Sequence, residues 1–478
     1  MTTVQTLRPE AAIEDAAHLI GGELIRGEDT FAVIDPATEQ VVADCPAGSI
    51  GLVDAALEAA AAALPQWSRD LDRRRSAIAA MGEVIARHAD LLAHVLALET
   101  GKPNAGFEIK GAEVHSRFWA DYEIPVDVIY DDASQRVTLE RFPAGVVAAI
   151  TPWNGPLVML ANKLACSLLV GNTVVAKPSP FTPLSTLVLG SLLRDVFPPG
   201  VLNLVAGDDE VGRALVVHPR TSLISFTGSV EAGRSIARAA ADDLKRVCLE
   251  LGGNDAAIVL PDVDLDTAAP KLYRGAFAGS GQICVAIKRL FVHSSIYDSV
   301  AARLTAIAGE ARLGGPFEPG VTMGPLTTQP QFHRVSALVD DARDAGAEIL
   351  SGGQPVDRPG YFYPPTLIGD VASGMRIVDE EQFGPALPLI RFEDADEALA
   401  LANDTSYGLG GSIWTSDVDR GIELARRLES GSAWVNRHPA VGPDLPFGGF
   451  KRSGIGRENG RPGIDHFAEL KTVSVDLT

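Results

Sequence analysis

Cysteine is scarce in this chain, with four among 478 residues, and the four lie far apart. They are Cys45, Cys166, Cys248 and Cys284. A small disulfide-linked fold or a zinc site would need cysteines or histidines at closer spacing, and a redox pair would need Cys-x-x-Cys. We therefore predict free thiols in a reducing, cytoplasmic compartment, and no metal site.

Basic residues and long apolar runs are also few. Lysine and arginine number 41 against 62 aspartates and glutamates, which gives a net charge of −21. This acidity disfavours nucleic acid or an anionic membrane as a partner. The most apolar region is interrupted by Pro152, Asn154 and Pro156, so no membrane span is expected there. The N-terminus has neither the basic nor the apolar segment of a signal peptide.

One stretch, Phe-Ala-Gly-Ser-Gly-Gln-Ile-Cys-Val-Ala-Ile-Lys, places a lone cysteine, Cys284, after two glycines. Gly279 and Gly281 permit a tight turn and a close approach of the backbone to a ligand. No second cysteine is nearby, so Cys284 is either a buried structural thiol or a nucleophile.

Two other stretches place polar groups where apolar ones are expected. Glu250 stands in the apolar run Val-Cys-Leu-Glu-Leu-Gly-Gly. A buried carboxylate is costly, and burial raises its pKa toward that of a useful general base. The alternative is a salt bridge from Glu250 to Lys245 or Arg246. Asn154, in Thr-Pro-Trp-Asn-Gly-Pro, follows a predicted buried strand and is either a turn residue or a donor to a ligand.

Together the three stretches resemble the signature of the NAD(P)-dependent aldehyde dehydrogenase superfamily, and the resemblance runs nearly end to end. It implies the hydrolytic, non-acylating type, which forms a cysteine thiohemiacetal and then a thioester. Cys284 would be the nucleophile and Glu250 the base that activates water. The side-chain amide of Asn154 and the backbone N–H of Cys284 would form the oxyanion hole. Glu458 matches a family glutamate that would act as an auxiliary proton relay.

The resemblance also implies a dinucleotide site, although no Gly-x-Gly-x-x-Gly is present. Instead, Phe-Thr-Gly-Ser leads into a predicted helix whose first N–H groups can hold a pyrophosphate. The implied cofactor-binding residues are Trp153, Lys177, Pro180, Gly228, Ser229, Gly233, Leu251, Glu381 and Phe383. Pro180 stands where many NAD-preferring relatives carry a glutamate, and no arginine for a 2′-phosphate is evident around it. We expect NAD as the cofactor, with NADP possible.

Substrate-tunnel positions are implied in the same way. They are Met159, Asn162, Ile283, Val285 and Val441. Large aromatic side chains often narrow this tunnel, but Asn162 and Val441 do not, so we predict a wide, mainly aliphatic pocket. Such a pocket favours aromatic, terpenoid or medium-chain aldehydes. The alternative is a dicarboxylic semialdehyde whose carboxylate is received by Arg437 and His438.

The order of elements predicts an α/β fold with a doubly wound parallel sheet. Residues 146–150 and 173–177 are uninterrupted apolar runs, typical of parallel strands buried on both faces. Two early helices are expected, one over residues 50–64 that Pro65 ends and one over residues 70–98.

We divide the chain into three parts. Residues 1–121 and 142–251 form a Rossmann-type dinucleotide-binding domain, residues 252–463 an α/β catalytic domain, and residues 122–141 and 464–478 a small β arm. Two alternating segments in or beside the arm, 135–142 and 470–477, predict edge strands that pair within or between subunits. The resemblance implies that this arm closes a homodimer or homotetramer.

Three other classes of protein are alternatives. A cysteine hydrolase needs a histidine partner, yet none of the nine histidines shares a motif with Cys284. A CoA-acylating dehydrogenase dispenses with the general base, so Glu250 argues against it. A catalytically silent structural protein of the same fold would be expected to lack Cys284 or Glu250.

Overall fold

The computed structural model describes residues 8–478. The strands are β1 (His18–Ile20), β2 (Glu23–Ile25), β3 (Thr30–Ile34), β4 (Val41–Pro46), β5 (Asp127–Asp131), β6 (Gln135–Pro143), β7 (Val146–Ile150), β8 (Thr173–Lys177), β9 (Leu202–Leu204), β10 (Thr221–Thr227), β11 (Arg246–Glu250), β12 (Asp255–Val259), β13 (Ile287–His293), β14 (Glu348–Ser351), β15 (Thr366–Gly369), β16 (Ala386–Phe392), β17 (Gly410–Trp414), β18 (Ser432–Val435), β19 (Gly454–Ile455) and β20 (Ala468–Asp476). The α-helices are α1 (Pro9–Glu14), α2 (Ile50–Trp67), α3 (Leu71–Arg87), α4 (Ala89–Thr100), α5 (Ala105–Asp121), α6 (Pro156–Val170), α7 (Leu184–Leu193), α8 (Asp209–Val217), α9 (Val230–Ala241), α10 (Leu265–Phe277), α11 (Tyr297–Gly309), α12 (Gln329–Asp344), α13 (Arg376–Asp379), α14 (Ala395–Asn403), α15 (Val418–Ala425) and α16 (Gly460–Phe467).

The first large sheet has eight strands in the order β19-β11-β10-β7-β8-β9-β1-β2. Its five central strands, β11, β10, β7, β8 and β9, run parallel. β19 is antiparallel to β11, β1 is antiparallel to β9, and β2 is antiparallel to β1. Every residue of β7 and β8 is buried, because helices cover both faces of a doubly wound sheet. The predicted α/β class is confirmed, and the predicted limits of β7 and β8 agree to the residue.

The second large sheet has seven strands in the order β14-β15-β16-β13-β12-β17-β18, all parallel except β14. It begins at Asp255, with only four residues between it and Glu250, where β11 ends. This short connection brings the end of one sheet next to the start of the other. The turn that carries Cys284 lies just before β13, so both predicted reactive residues are near this junction.

The two alternating segments pair with each other. β20 runs antiparallel to β6 along its whole length, from Ala468 opposite Pro143 to Asp476 opposite Gln135. β5 adds a third strand on the other side of β6. Three apolar side chains of β5 are half exposed or more: Val128, Ile129 and Tyr130.

Two predicted helix boundaries are wrong. Pro65 lies inside α2, which continues to Trp67, because a proline in the last turn removes only one hydrogen bond and the buried Trp67 anchors that turn. The single helix expected over residues 70–98 is two helices that meet at His88. The helical spacing of apolar residues continues across this break, and Met81 of α3 and Leu92 of α4 are both fully buried. The sequence pattern therefore predicts a single helix.

None of the helices in residues 8–478 is long and apolar enough to cross a membrane.

Candidate active site

The turn before Cys284 depends on glycine. Gly279 and Gly281 have φ values of 59° and 72°, in the left-handed region that side chains rarely adopt. A Cβ on Gly281 would lie 2.3 Å from the carbonyl oxygen of Gly384, so only glycine fits this close contact. The turn ends α10 and leaves Cys284 partly exposed in front of β13.

Asn154 lies against this turn, as the sequence predicts. Its Nδ2 donates to the carbonyl oxygen of Gln282 at 2.8 Å. The Asn154 backbone is held in turn by Lys102, which donates to the Asn154 carbonyl and forms an ion pair with Glu108 at 2.6 Å. An amide nitrogen carries two hydrogens, so one remains to donate to a ligand beside Cys284.

Glu250 is the last residue of β11 and is 3% exposed. Neither of its carboxyl oxygens has a hydrogen-bond partner within the described part of the chain. The salt-bridge alternative is excluded, because Lys245 donates to carbonyls at Val216 and His218 and Arg246 to a carbonyl of β20. A buried carboxyl without partners is costly in a purely structural role.

The surroundings of Glu250 favour its protonated form. Burial raises its pKa well above the usual value, and the nearby Glu458 carboxylate adds to the rise. Lys163 opposes the rise. A carboxyl with a raised pKa is suited to accept a proton from water near neutral pH.

Glu458 forms an ion pair with a lysine that sequence reasoning missed. Lys163 is fully buried, and its Nζ lies 2.5 Å from Oε1 of Glu458 and 2.9 Å from the hydroxyl of Ser225. The available signal was a single charged residue in α6, Pro-Leu-Val-Met-Leu-Ala-Asn-Lys-Leu-Ala-Cys-Ser-Leu-Leu-Val. A fully buried charge in an apolar helix needs a partner, here Glu458.

Asn162 belongs to the same network and not to an open passage. Its Oδ1 accepts from Trp119 Nε1 at 3.0 Å and lies 2.9 Å from His115 Nδ1. Its Nδ2 faces Glu458 at 3.4 Å. The side chain is 5% exposed, so the predicted tunnel role of Asn162 is replaced by a buried hydrogen-bonding one.

The other predicted tunnel residues are placed differently from one another. Ile283 and Cys284 both pack on a small apolar cluster of Val285, Leu409 and Trp434, as do Ala440 and Phe447, which sequence reasoning did not select. Val285 is 3% exposed and packs inward in that cluster. Met159 is half-buried in α6, one turn after Asn154, whereas Val441 is 55% exposed.

A cavity of about 470 Å³ lies at the carboxyl ends of β7, β8 and β10. It is lined by Ile150, Lys177, Asp208, Asp209, Gly212, Arg213, Val216, Val217, Phe226, Ser229, Glu231, Ala232, Ser235, Ile236 and Ala239. Burial lowers the pKa of Lys177 to about 8, and Asp209 and Asp208 oppose this. Arg213 corrects the expectation that no arginine is available here; α8 supplies it from a distant part of the sequence.

Of the predicted glycine and serine positions, Ser229 lines this cavity, whereas Gly228 precedes it in the chain and Gly233 lies on α9. Ser229 caps α9 by accepting from the Ala232 N–H at 3.2 Å. A Cβ on Gly233 would lie 2.5 Å from Leu251, so this glycine allows α9 to pack closely on the end of β11. Gly228 donates its N–H to the Glu250 carbonyl at 3.0 Å. Pro180 is half-buried and is not among the lining residues.

The predicted nicotinamide-side residues lie together near Cys284. The rings of Trp153 and Phe383 are 5.3 Å apart and nearly perpendicular. Glu381 accepts from the Gly253 N–H at 2.9 Å, and burial raises its pKa. Lys288 lies 3.5 Å from the same carboxylate.

His438 is not a cation. Its ring lies 2.8 Å from the Val285 carbonyl and 3.0 Å from the Ser412 hydroxyl, and its side chain is buried. Burial lowers its pKa to about 3, so the ring is neutral at physiological pH. Of the two cations suggested for a semialdehyde carboxylate, only Arg437 remains, and it is exposed.

Three comparisons with known proteins give consistent results. The model of the aldehyde dehydrogenase family matches residues 25–473. Retinaldehyde dehydrogenase 3 of Rattus norvegicus is 40% identical over 460 residues, which cover 94% of this chain and 90% of that protein. "Aldehyde dehydrogenase, cytosolic 1" of the same organism is 38% identical, with coverage of 94% and 92%. Among solved structures, the NAD+ complex of an aldehyde dehydrogenase from Bacillus cereus is 35% identical and matches with a TM-score of 0.96 over 99% of both chains.

Proposed function

Because the chain belongs to the aldehyde dehydrogenase family, we propose that it oxidises an apolar aldehyde to the carboxylic acid with NAD(P)+ through a thioester on Cys284. One observation carries the proposal. Asn154 donates its amide to the loop of Cys284, and Glu250, a buried carboxyl without partners in residues 8–478, lies close enough for its charge to act on the Cys284 thiol. The test is NAD(P)H formation over a panel of aliphatic, aromatic, terpenoid and semialdehyde substrates.

The residues support a two-stage reaction. The Cys284 thiolate adds to the aldehyde carbon, and the carbonyl oxygen becomes an oxyanion that Asn154 and the Cys284 N–H stabilise. When bound, NAD(P)+ would supply the acceptor for the hydride. Loss of that hydride from the tetrahedral carbon leaves a thioester on Cys284. Glu250 then takes a proton from water, whose oxygen attacks the thioester carbon and releases the acid and the Cys284 thiolate. Glu458, paired with Lys163, relays protons from Glu250.

The predicted dinucleotide site fits such a ligand. The hydroxyls of Thr151 and Thr227, at the ends of β7 and β10, are buried without a partner within residues 8–478. Lys177 and the start of α9 line the cavity beside them, in the position where α/β sheets bind nucleotides. Lys177 would hold the adenosine ribose, and Glu381 and Phe383 the nicotinamide end.

NAD is the preferred form in this proposal. Three acidic residues, Asp208, Asp209 and Glu231, line the cavity with Lys177 and Arg213, and their charge disfavours a 2′-phosphate. Replacing Pro180 with glutamate should lower kcat/KM for NADP by about tenfold or more and leave that for NAD within about threefold. Arg213→Ser, which removes a cation that does line the cavity, should also lower kcat/KM for NADP. A wild-type enzyme that uses NADP about ten times more efficiently than NAD would contradict this preference.

We also propose the division into parts that the sequence suggested. The first sheet comes mainly from residues before 251 and the second from residues 255–435. β19 is an addition, since it comes from the catalytic part yet pairs with β11 of the first sheet. A cytoplasmic location suits the four free cysteines.

The β arm is proposed to close a homodimer or homotetramer. β5 carries half-exposed apolar side chains on a three-stranded sheet, the kind of surface that a symmetric partner covers. Deleting residues 470–478 should lower the oligomer order or give insoluble protein, because β6 loses its partner β20. Analytical ultracentrifugation measures this. A truncated chain that sediments like the full-length chain would rule out the arm as the assembly element.

The apolar cluster that includes Cys284 supports the substrate class. Ile283, Ala440 and Phe447 pack on the same three buried residues as Cys284 and supply aliphatic and aromatic surface. An apolar pocket gains about 0.8 kcal/mol per buried methylene, which is about fourfold in kcat/KM. Efficiency should therefore rise from acetaldehyde toward octanal, benzaldehyde and a terpenoid aldehyde.

A tryptophan in this apolar cluster should reverse this trend. Ala440→Trp is expected to lower kcat/KM for octanal by about tenfold or more and to spare acetaldehyde, because only the longer chain needs the filled volume. Val441→Trp tests the neighbouring position and should have a smaller effect of the same sign, since Val441 is 55% exposed. If succinate semialdehyde exceeds all three apolar aldehydes by about tenfold, the apolar-pocket proposal fails.

A further inference from the structure

Four successive carbonyls of the cysteine loop each face a buried side-chain donor. Asn154 Nδ2 donates to the Gln282 carbonyl at 2.8 Å. Lys288 Nζ donates to the carbonyls of Ile283 at 2.9 Å and Cys284 at 2.7 Å. The His438 ring lies 2.8 Å from the Val285 carbonyl. The family reaction assigned above uses only the first of these donors.

Lys288 is an unusual residue for this place. It is 2% exposed, although it carries a charged ammonium, and it follows Cys284 by only four positions. Its Nζ lies 3.5 Å from Glu381, and Asp255 is a second nearby carboxyl. A buried lysine is costly unless it is paired, and most of its hydrogen bonds here go to the cysteine loop.

We propose that Lys288 is a positioning residue for Cys284: its ammonium fixes the carbonyls of Ile283 and Cys284 and places a positive charge beside the reacting thiolate. Holding both carbonyls on the inner side of the loop turns the Cys284 N–H away from them. Within the described residues that N–H donates to no protein acceptor, so it is free for an oxyanion. This inference rests on the proposed function of Cys284 as nucleophile.

The charges around Cys284 make the role of Lys288 measurable. Burial raises the pKa of the Cys284 thiol to about 12; Lys288 opposes this, and Asp255, Glu250 and Glu381 add to it. Lys288 is the nearby positive charge in this set, and the His438 ring is neutral. Removing the cation should therefore raise the thiol pKa further and reduce the thiolate present at neutral pH.

Iodoacetamide alkylation of Cys284 in the intact protein, without aldehyde or nucleotide, tests this. In Lys288→Met we expect the apparent pKa of alkylation to rise by about one unit or more and the rate at neutral pH to fall about tenfold. Lys288→Arg, which keeps the charge, should restore most of the rate. Lys271→Met, a half-buried lysine on α10, is the matched control and should leave the profile unchanged. Cys284→Ala gives the background from other thiols.

A second variant keeps the test decisive if the Lys288 variants do not fold. Asp255→Asn removes a carboxylate whose negative charge opposes the effect of Lys288 on the Cys284 thiol. The apparent pKa of alkylation should therefore fall. Burial raises the pKa of Asp255 to about 7, and the effect should therefore be largest above that pH. If the pH profile of alkylation in Lys288→Met matches that of the wild type, the proposal is overturned. If Lys288→Met is insoluble, an unchanged pH profile in Asp255→Asn overturns it instead. Because no aldehyde is used, a protein that oxidises no aldehyde but shows these shifts would refute only the proposed function.

Discussion

Replacing Cys284 with alanine is expected to lower kcat about a million-fold, to the limit of detection, and to remove the pre-steady-state burst of NAD(P)H. The aldehyde carbon cannot release a hydride until a nucleophile has made it tetrahedral, and no other thiol is placed to do so. The thiols of Cys166 and Cys248 are buried, and burial raises both pKa values well above the usual range. Stopped-flow fluorescence of NAD(P)H measures burst and turnover together.

Cys45→Ala is the control for loss of a thiol. Cys45 is fully buried in β4, in a two-stranded sheet separate from the two large ones, and burial raises its pKa. This variant should keep both the burst and the turnover. A Cys284→Ala enzyme that retains a burst would show that the nucleophile is another residue.

Replacing Glu250 with glutamine should leave a burst of about one NAD(P)H per active site and slow the following turnover by about 10²- to 10⁴-fold. Glutamine has nearly the same shape but cannot accept a proton from water, so the reaction stops at the thioester. Mass spectrometry of the quenched enzyme should show the acyl group on Cys284. If burst and turnover decline equally, Glu250 is not the base that removes the acyl group.

The pH dependence of this second stage has a definite sign. Glu250 acts as a base only as the carboxylate, and burial raises its pKa above the usual value. The rate of thioester hydrolysis should therefore rise with pH through that raised pKa and level off above it. In Glu250→Gln this rise should disappear, whereas a control change outside the site, such as Cys45→Ala, should keep it.

The sequence carries enough information to predict strands β7 and β8 and to select residues whose local pattern is unusual. β7 and β8 were predicted to the residue, because a strand buried on both faces is an unbroken apolar run with polar or glycine residues at each end. Glu250 was selected because a lone carboxyl in such a run is unfavourable without a reason. Both patterns are local, so they can be recognised in a single sequence.

Residues whose roles depend on distant partners were missed or misread. His438 was interpreted as a cation, but its neutral ring is set by burial against Ser412 and the Val285 carbonyl. Arg213 lines the nucleotide cavity from α8, which is distant in sequence from the segment around Pro180. Asn162 has the right spacing on α6 to face a substrate, yet the tertiary fold gives its amide to a buried network. The spacing of residues along one helix does not show which residues of other elements pack against it.

The pairing of β20 with β6 has a consequence for synthesis of the chain. The ribosome makes the chain from its N-terminus, so β6 emerges more than 300 residues before its partner β20. The same holds for Lys163, whose partner Glu458 follows about 300 residues later. Until then one edge of β6 has no partner strand, and Lys163 has no carboxylate to compensate its charge if it is buried. The proton network and the arm are therefore completed close together in time, once residues 458–476 have been made, and a chain that stops before these residues has neither.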